Sequence, residues 1–188
     1  MAKKSAVETN WLQTAAVRVT RVHFLFLAFY ILSLIVFDSW NLYTHEAMTQ
    51  LWTAAALLLG VNTILWYASR LKFSSETVYR AIVIILIIAD IVFASYNVFW
   101  QMGLASKSVI LFTVPIITAA VLRSRSALLA VTTLCAAAYS TVSVRYFYEN
   151  YGESYRVELY GTVGFYSALF FVLAGLLLVI ILPKKERF

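Results

Sequence analysis

Apolar residues dominate six runs along the chain, at 22–37, 51–69, 81–100, 109–122, 127–144 and 159–182, separated by short polar or aromatic stretches. A helix needs about 20 such residues, within a range of roughly 17–25, to cross the hydrocarbon core of a bilayer. Four runs meet that length as they stand. The first reaches it by extending back past Arg21 and Arg18, whose long stems let their charged ends sit at the interface. The fourth reaches it by taking in residues 104–108, with Lys107 turned outward. The pattern predicts an all-α polytopic membrane protein with six transmembrane helices. Residues 1–21 form an N-terminal segment, 22–182 the transmembrane domain and 183–188 a basic tail. No A-x-A-like cleavage site follows the first run, so it reads as a retained helix and not as a signal peptide.

Charge orients these spans. The segments on one side hold Lys3, Lys4, Arg18, Arg21, Arg70, Lys72, Arg80, Arg123, Arg125, Lys184, Lys185 and Arg187; the other side holds Lys107, Arg145 and Arg156. Twelve against three puts both termini in the cytoplasm, because positive loops stay inside. The outer connections also carry Asp38, Glu46, Glu149, Glu153 and Glu158. The longest of them, 145–158, holds Tyr146, Phe147, Tyr148, Tyr151 and Tyr155, which suit an interfacial aromatic belt or, alternatively, a lid or docking surface. Trp11, Leu12, Ala15 and Val19 recur at helical spacing ahead of Arg18 and Arg21. They fit a short amphipathic helix on the inner leaflet or the cytoplasmic start of the first span.

Composition agrees: 62% of the 188 residues are apolar and 13% charged, against about 25% charged in an average soluble domain. The net charge of +6 does not point to nucleic acid, because the basic residues sit in short clusters between apolar runs. A single cysteine, Cys135, allows no internal disulfide and reads as a packed small residue. Metal, hydrolase and nucleotide motifs are missing: there is no H-E-x-x-H, no G-x-S-x-G and no phosphate loop. Thr44-His45-Glu46-Ala47-Met48 only superficially resembles a kinase phosphoacceptor box, since no basic-Thr-Pro run follows. His23 reads as an interfacial anchor, and no lysine falls in mid-span to hold retinal. The chain is therefore expected to be no enzyme and to hold no metal.

Asp90 is the exception among the spans: a carboxylate ten residues into the third run, near the bilayer centre. Its insertion costs at least about 2.5–3.5 kcal/mol, which makes it a functional candidate. Asn97 and Gln101 follow seven and eleven residues later, within about 20° of it around a helix. Asn62, Thr118 and Thr133 fall at a similar depth in other runs and are candidates to join it. Two readings stay open: interhelical hydrogen-bond glue, and a ligand or signal site. Thr133, Ala137 and Thr141 repeat every four residues, as do Gly164 and Ala168, a spacing that permits close helix packing or self-association.

The stretch from Asp90 to Tyr139 resembles the membrane sensor domain of bacterial sensor histidine kinases of the PilS and RegB/PrrB type. In that family an aspartate in the third helix is followed twelve and thirteen residues later by a Gly-Gly pair. A short outer turn, an apolar helix with proline, a basic inner turn and an Ala/Leu-rich helix come next. Here Met102-Gly103 stands at that spacing, then Val114-Pro115-Ile116, Arg123-Ser124-Arg125-Ser126 and Ala127-Leu128-Leu129. The opening run 18–37 fits as well. The resemblance implies a non-catalytic sensor and signal-transduction module of the inner membrane, part of a two-component system. Gly103 joins its signal-site candidates, and a shift of helix packing would be passed inward through the last helix. The RegB-type turn, Gly-Gly-x-x-Asn-Pro-Phe, is implicated in quinone sensing. Of it only Gly103 is kept, so quinone, the cofactor the family would imply, is not carried over. Pro183 opposes a continuous signalling helix beyond the last span. The alternative is a stand-alone small membrane protein acting as transporter, channel or assembly subunit. Expected partners are the lipid bilayer and a second copy or another membrane protein, not nucleic acid.

Overall fold

The computed structural model describes residues 2–73, 75–103, 106–150 and 156–181, with side chains from residue 11 onward except at 156 and 157. Its elements are α1 (Ala2–Ser39), α2 (His45–Arg70), α3 (Glu76–Trp100), a 3-10 helix (Lys107–Phe112), α4 (Thr113–Ala120), α5 (Arg125–Glu149) and α6 (Arg156–Ile181). No strand occurs among the described residues. Five helical stretches are long and apolar enough to cross a membrane: Trp11–Ser39, His45–Arg70, Glu76–Trp100, Arg125–Glu149 and Glu158–Ile181. The apolar stretch Lys107–Ala120 is shorter.

The fourth run departs from the expected single helix. It starts as a 3-10 helix and becomes α-helical at Thr113. Pro115 stands at the third position of α4, where its missing N–H costs nothing, because the first turn of a helix has no intrahelical acceptors for its donors. Further along, the proline ring would clash with the carbonyl four residues back, so the α-helix can begin no earlier. Other boundaries move outward. Ala, Glu, Leu, Gln and Arg in residues 2–21 are good helix formers, and α1 runs through them without a break. α2 starts at His45, where the Thr44 hydroxyl accepts the Ala47 N–H at 3.2 Å and Glu46 complements the helix dipole. Thr44-His45-Glu46 is thus a helix start. α5 continues to Glu149, so Arg145, Tyr146, Phe147 and Tyr148 are helical and not part of a loop. Tyr151, Tyr155, Leu182 and the tail 183–188 lie outside the described residues.

The ends are chemically marked. After α1, Leu42 N–H bonds Phe37 O and Asn41 N–H bonds Asp38 O, with Asn41 left-handed at φ 51°. This is a Schellman closure, with asparagine in the place glycine often takes. α5 opens on Ser124, whose hydroxyl accepts the Ala127 N–H at 3.3 Å.

The chain separates into two compact units, 1–89 and 90–188, with the boundary inside α3. In the first, α1 packs on α2 through Leu27, Leu34, Leu51, Ala55 and Leu58, all buried. Lipid tails are as apolar as leucine, so close packing and hydrogen bonds hold such helices together more than water exclusion does. Asn62 supplies one such bond, its Nδ2 donating to Thr20 O at 3.1 Å. His23, expected as an interfacial anchor, is buried here with Nδ1 3.0 Å from Val19 O. Tyr79 closes the connection ahead of α3: its hydroxyl donates to Leu71 O at 2.8 Å and accepts the Phe73 N–H at 3.0 Å.

In the second unit, α5 packs on α6 and both pack on α4. Four rings meet there. Phe112 and Phe170 each lie about 6 Å from Tyr139, and Tyr166 lies 5.7 Å from it. Large apolar side chains cover the outside of both units, among them Val22, Leu25, Phe29, Leu57, Ile64, Leu176 and Ile180. Exposed apolar area on this scale is compatible with helices that face lipid.

A buried polar column on α3

Seven- and four-residue spacing puts Asp90, Asn97 and Gln101 on one face of α3, and that face is turned inward. The three are 2%, 0% and 3% exposed. Each therefore needs internal partners, since an unsatisfied buried polar group costs roughly 1–3 kcal/mol. Asn97 Nδ2 donates to Phe93 O at 2.8 Å, and Gln101 Nε2 lies 3.5 Å from Asn97 Oδ1. Gln101 Oε1 accepts from the Ser108 hydroxyl. The column thus ends in a side-chain bond that ties the C-terminal end of α3 to the 3-10 helix. Cys135 of α5 is fully buried in the same unit.

The turn after α3 is held by sterics as well. Met102 and Gly103 both have left-handed backbone, φ 71° and 55°. A Cβ on Gly103 would lie 2.9 Å from Tyr146 Cβ and closer still to its ring. The tyrosine occupies the space that glycine leaves. Tyr146 in turn meets Phe99 edge-on at 5.8 Å, and the Arg145 guanidinium lies 5.2 Å from the Phe99 ring centroid. The turn continues into Ser106, whose hydroxyl accepts the Ser108 N–H at 3.0 Å.

Of the expected cluster, Asp90, Asn97, Gln101 and Gly103 occupy buried positions in the second unit. Thr118 is also buried in that unit, on α4. Asn62 belongs to the first unit, where it bonds Thr20. Thr133 does not join the column: it is exposed, and its neighbour Thr132 takes the buried position, donating to Leu128 O at 2.8 Å. Ala137, Thr141, Gly164 and Ala168 are exposed, and nothing lies within 4 Å of where a Gly164 Cβ would be. Sequence reading missed Ser106 and Ser108, the caps and anchor of the turn, and the ring cluster around Tyr139. The Ser-x-Ser spacing was the visible signal for the first. Among the described residues no group of three His, Cys, Asp or Glu side chains could hold a metal ion.

The described residues are all-helical, and five of the helices are long and apolar enough to cross a membrane, which points to a membrane protein. The chain matches no protein family, no curated protein and no solved structure.

Proposed function

We propose that the chain is a non-catalytic sensor module of the bacterial inner membrane, crossing it six times with both ends in the cytoplasm. The observation that carries this reading is the backbone at Met102-Gly103. The two positions that match the Gly-Gly pair of the sensor-kinase family are consecutive left-handed residues, the region that glycine enters without cost. The family's choice of residues is what this turn's geometry asks for. The buried column supports a signal site: Asn97 and Gln101 join the C-terminal end of α3 to the 3-10 helix through Ser108, and Asp90 stands two turns before Asn97 on the same buried face.

Six crossings also distribute charge better than five. The 3-10 half of Lys107–Ala120 rises about 2.0 Å per residue, against about 1.5 Å in an α-helix, so these fourteen residues reach roughly 24 Å. With the turns at either end, that approaches the roughly 30 Å hydrocarbon core. If this segment turned back without crossing, Arg145 and Arg156 would move inside, and Arg123, Arg125, Lys184, Lys185 and Arg187 outside. The ratio of twelve to three would fall to nine to six. The positive-inside rule favours the former.

The module fused ahead of a reporter histidine kinase tests the signalling role. Asp90→Asn keeps shape and hydrogen-bonding capacity, so it is expected to leave the unfolding midpoint in detergent unchanged while shifting the reporter's basal phosphorylation. Identical phosphorylation for the parent, Asp90→Asn and Asp90→Leu would overturn the role.

A further inference from the structure

A second polar site lies in the first unit. Thr14, Arg18 and Arg21 follow one another at four- and three-residue spacing, so they share one face of α1. With Gln13 and Val17 they line a cleft of about 350 Å³ whose other wall is Arg70, the last residue of α2. The cleft is built around that arginine. Its guanidinium carbon sits 3.7 Å from the centroid of the Trp66 ring, and Phe24 of α1 meets Trp66 edge-on at 5.8 Å. Gln13 Nε2 reaches Leu71 O at 3.4 Å and ties α1 to the chain just past Arg70. Among the described residues no carboxylate pairs with Arg18, Arg21 or Arg70, whereas Arg80 nearby in sequence is neutralised by Glu76 at 2.9 Å.

Three guanidinium groups around one cleft repel one another unless an anion sits between them, and the planar fork of each matches phosphate oxygens two at a time. Below the cleft, the same side of α1 continues as Val22, Leu25 and Phe29, all exposed and apolar. Val22 follows Arg18 by four residues and Leu25 follows Arg21 by four, so each arginine stands one turn above an apolar side chain. A cationic cleft over an apolar track is the complement of a lipid: phosphate above, acyl chain below.

We propose that this cleft binds the phosphate of an anionic phospholipid through Arg18, Arg21 and Arg70, with the acyl chain along Val22, Leu25 and Phe29. Trp66 holds Arg70 in place, so less of its rotamer freedom is lost on binding. The lipid's membership of the inner leaflet rests on the orientation proposed above. Binding itself does not, and a micelle has no sides, so the two can fail separately.

The test is thermal unfolding of the full chain in maltoside micelles with added dioleoyl phosphatidylglycerol, dioleoyl phosphatidylcholine or inorganic phosphate. Phosphatidylglycerol is expected to raise the midpoint by on the order of 5 °C at saturation. The zwitterionic lipid and free phosphate should leave it unmoved. Arg18→Gln/Arg21→Gln should abolish the shift, and Arg80→Gln, which removes a charge already paired, should retain it. Arg70→Lys keeps the charge but loses the stack on Trp66, and should show a reduced shift even if the double variant does not fold. An equal loss in Arg80→Gln, or a full shift in both cleft variants, would overturn the site. An equal shift with free phosphate would overturn the lipid as its source.

Discussion

Met102 and Gly103 share a backbone conformation but not its cost. A left-handed L-residue is disfavoured by about 1–2 kcal/mol, and glycine is not. Met102 is 54% exposed, so its side chain recovers little by packing. Met102→Gly is therefore expected to fold at least as stably as the parent, gaining up to about 1 kcal/mol once glycine's greater unfolded-state entropy is subtracted. Gly103→Ala runs the other way. It meets the same backbone penalty and drives a Cβ into Tyr146, which adds about 1–3 kcal/mol of overpacking. Unfolding midpoints in detergent should rank Met102→Gly at or above the parent and Gly103→Ala well below it. Adding Tyr146→Ala to Gly103→Ala should recover the steric part and leave the backbone part. A Gly103→Ala protein that melts with the parent would refute the close approach. This turn was only half legible in the sequence. Glycine at 103 signalled a special φ, but nothing in a methionine announces one, and the ring filling the space beside Gly103 comes from forty-three residues further on. Asp90, Asn97 and Gln101 could be read because their spacing matches the helical repeat. Ser106 and Ser108 act through a turn, where no period applies.

Among the helices, apolar periodicity located every long one and misjudged their ends. The runs at 22–37 and 127–144 became α1 and α5, which extend well into polar and aromatic flanks. Hydropathy reports where lipid is, whereas helix propensity and capping decide where the hydrogen-bond ladder stops. The fourth run was legible as an apolar segment. Its division at Phe112/Thr113 follows from Pro115, which sequence alone can place but whose upstream 3-10 alternative it cannot rank. The small-residue faces of α5 and α6 are the clearest case of a pattern whose meaning needed coordinates. Among the described residues neither face is buried: Ala137, Thr141, Gly164 and Ala168 are exposed, and a Gly164 side chain would meet nothing within 4 Å. Ala137→Leu and Gly164→Leu should therefore leave the monomer's unfolding free energy within about 0.5 kcal/mol of the parent. If a second copy packs on these faces, the same variants should lose the dimer captured by crosslinking in membranes. An unchanged dimer yield would mean the faces meet only lipid, and a collapsed midpoint would mean the helices pack differently from the arrangement described.

Across the whole chain, orientation turns on one short element. α1, α2, α3, α5 and α6 are each long enough to cross, and five crossings alone would leave the termini on opposite sides. Whether Lys107–Ala120 also crosses decides the side of every basic cluster that follows it. Two positions bracket that element. Lys107 opens the 3-10 helix and is exposed; Ser126, just past the Ser124 cap of α5, is exposed too, and its hydroxyl lies 3.0 Å from that of Ser124. Replacing Cys135 with alanine removes the native thiol at a fully buried site with a small loss of volume, and leaves a background in which each new cysteine can be read alone. In intact cells a membrane-impermeant maleimide is expected to label Lys107→Cys, and to label Ser126→Cys only after permeabilisation. That pattern requires a crossing between them and puts Arg123 and Arg125 with the cytoplasmic set. Labelling of both positions from outside would make the segment a re-entrant one, bring Arg145 and Arg156 inside and put Lys184, Lys185 and Arg187 outside. Labelling of Ser126→Cys alone from outside would invert the protein, against the positive-inside rule.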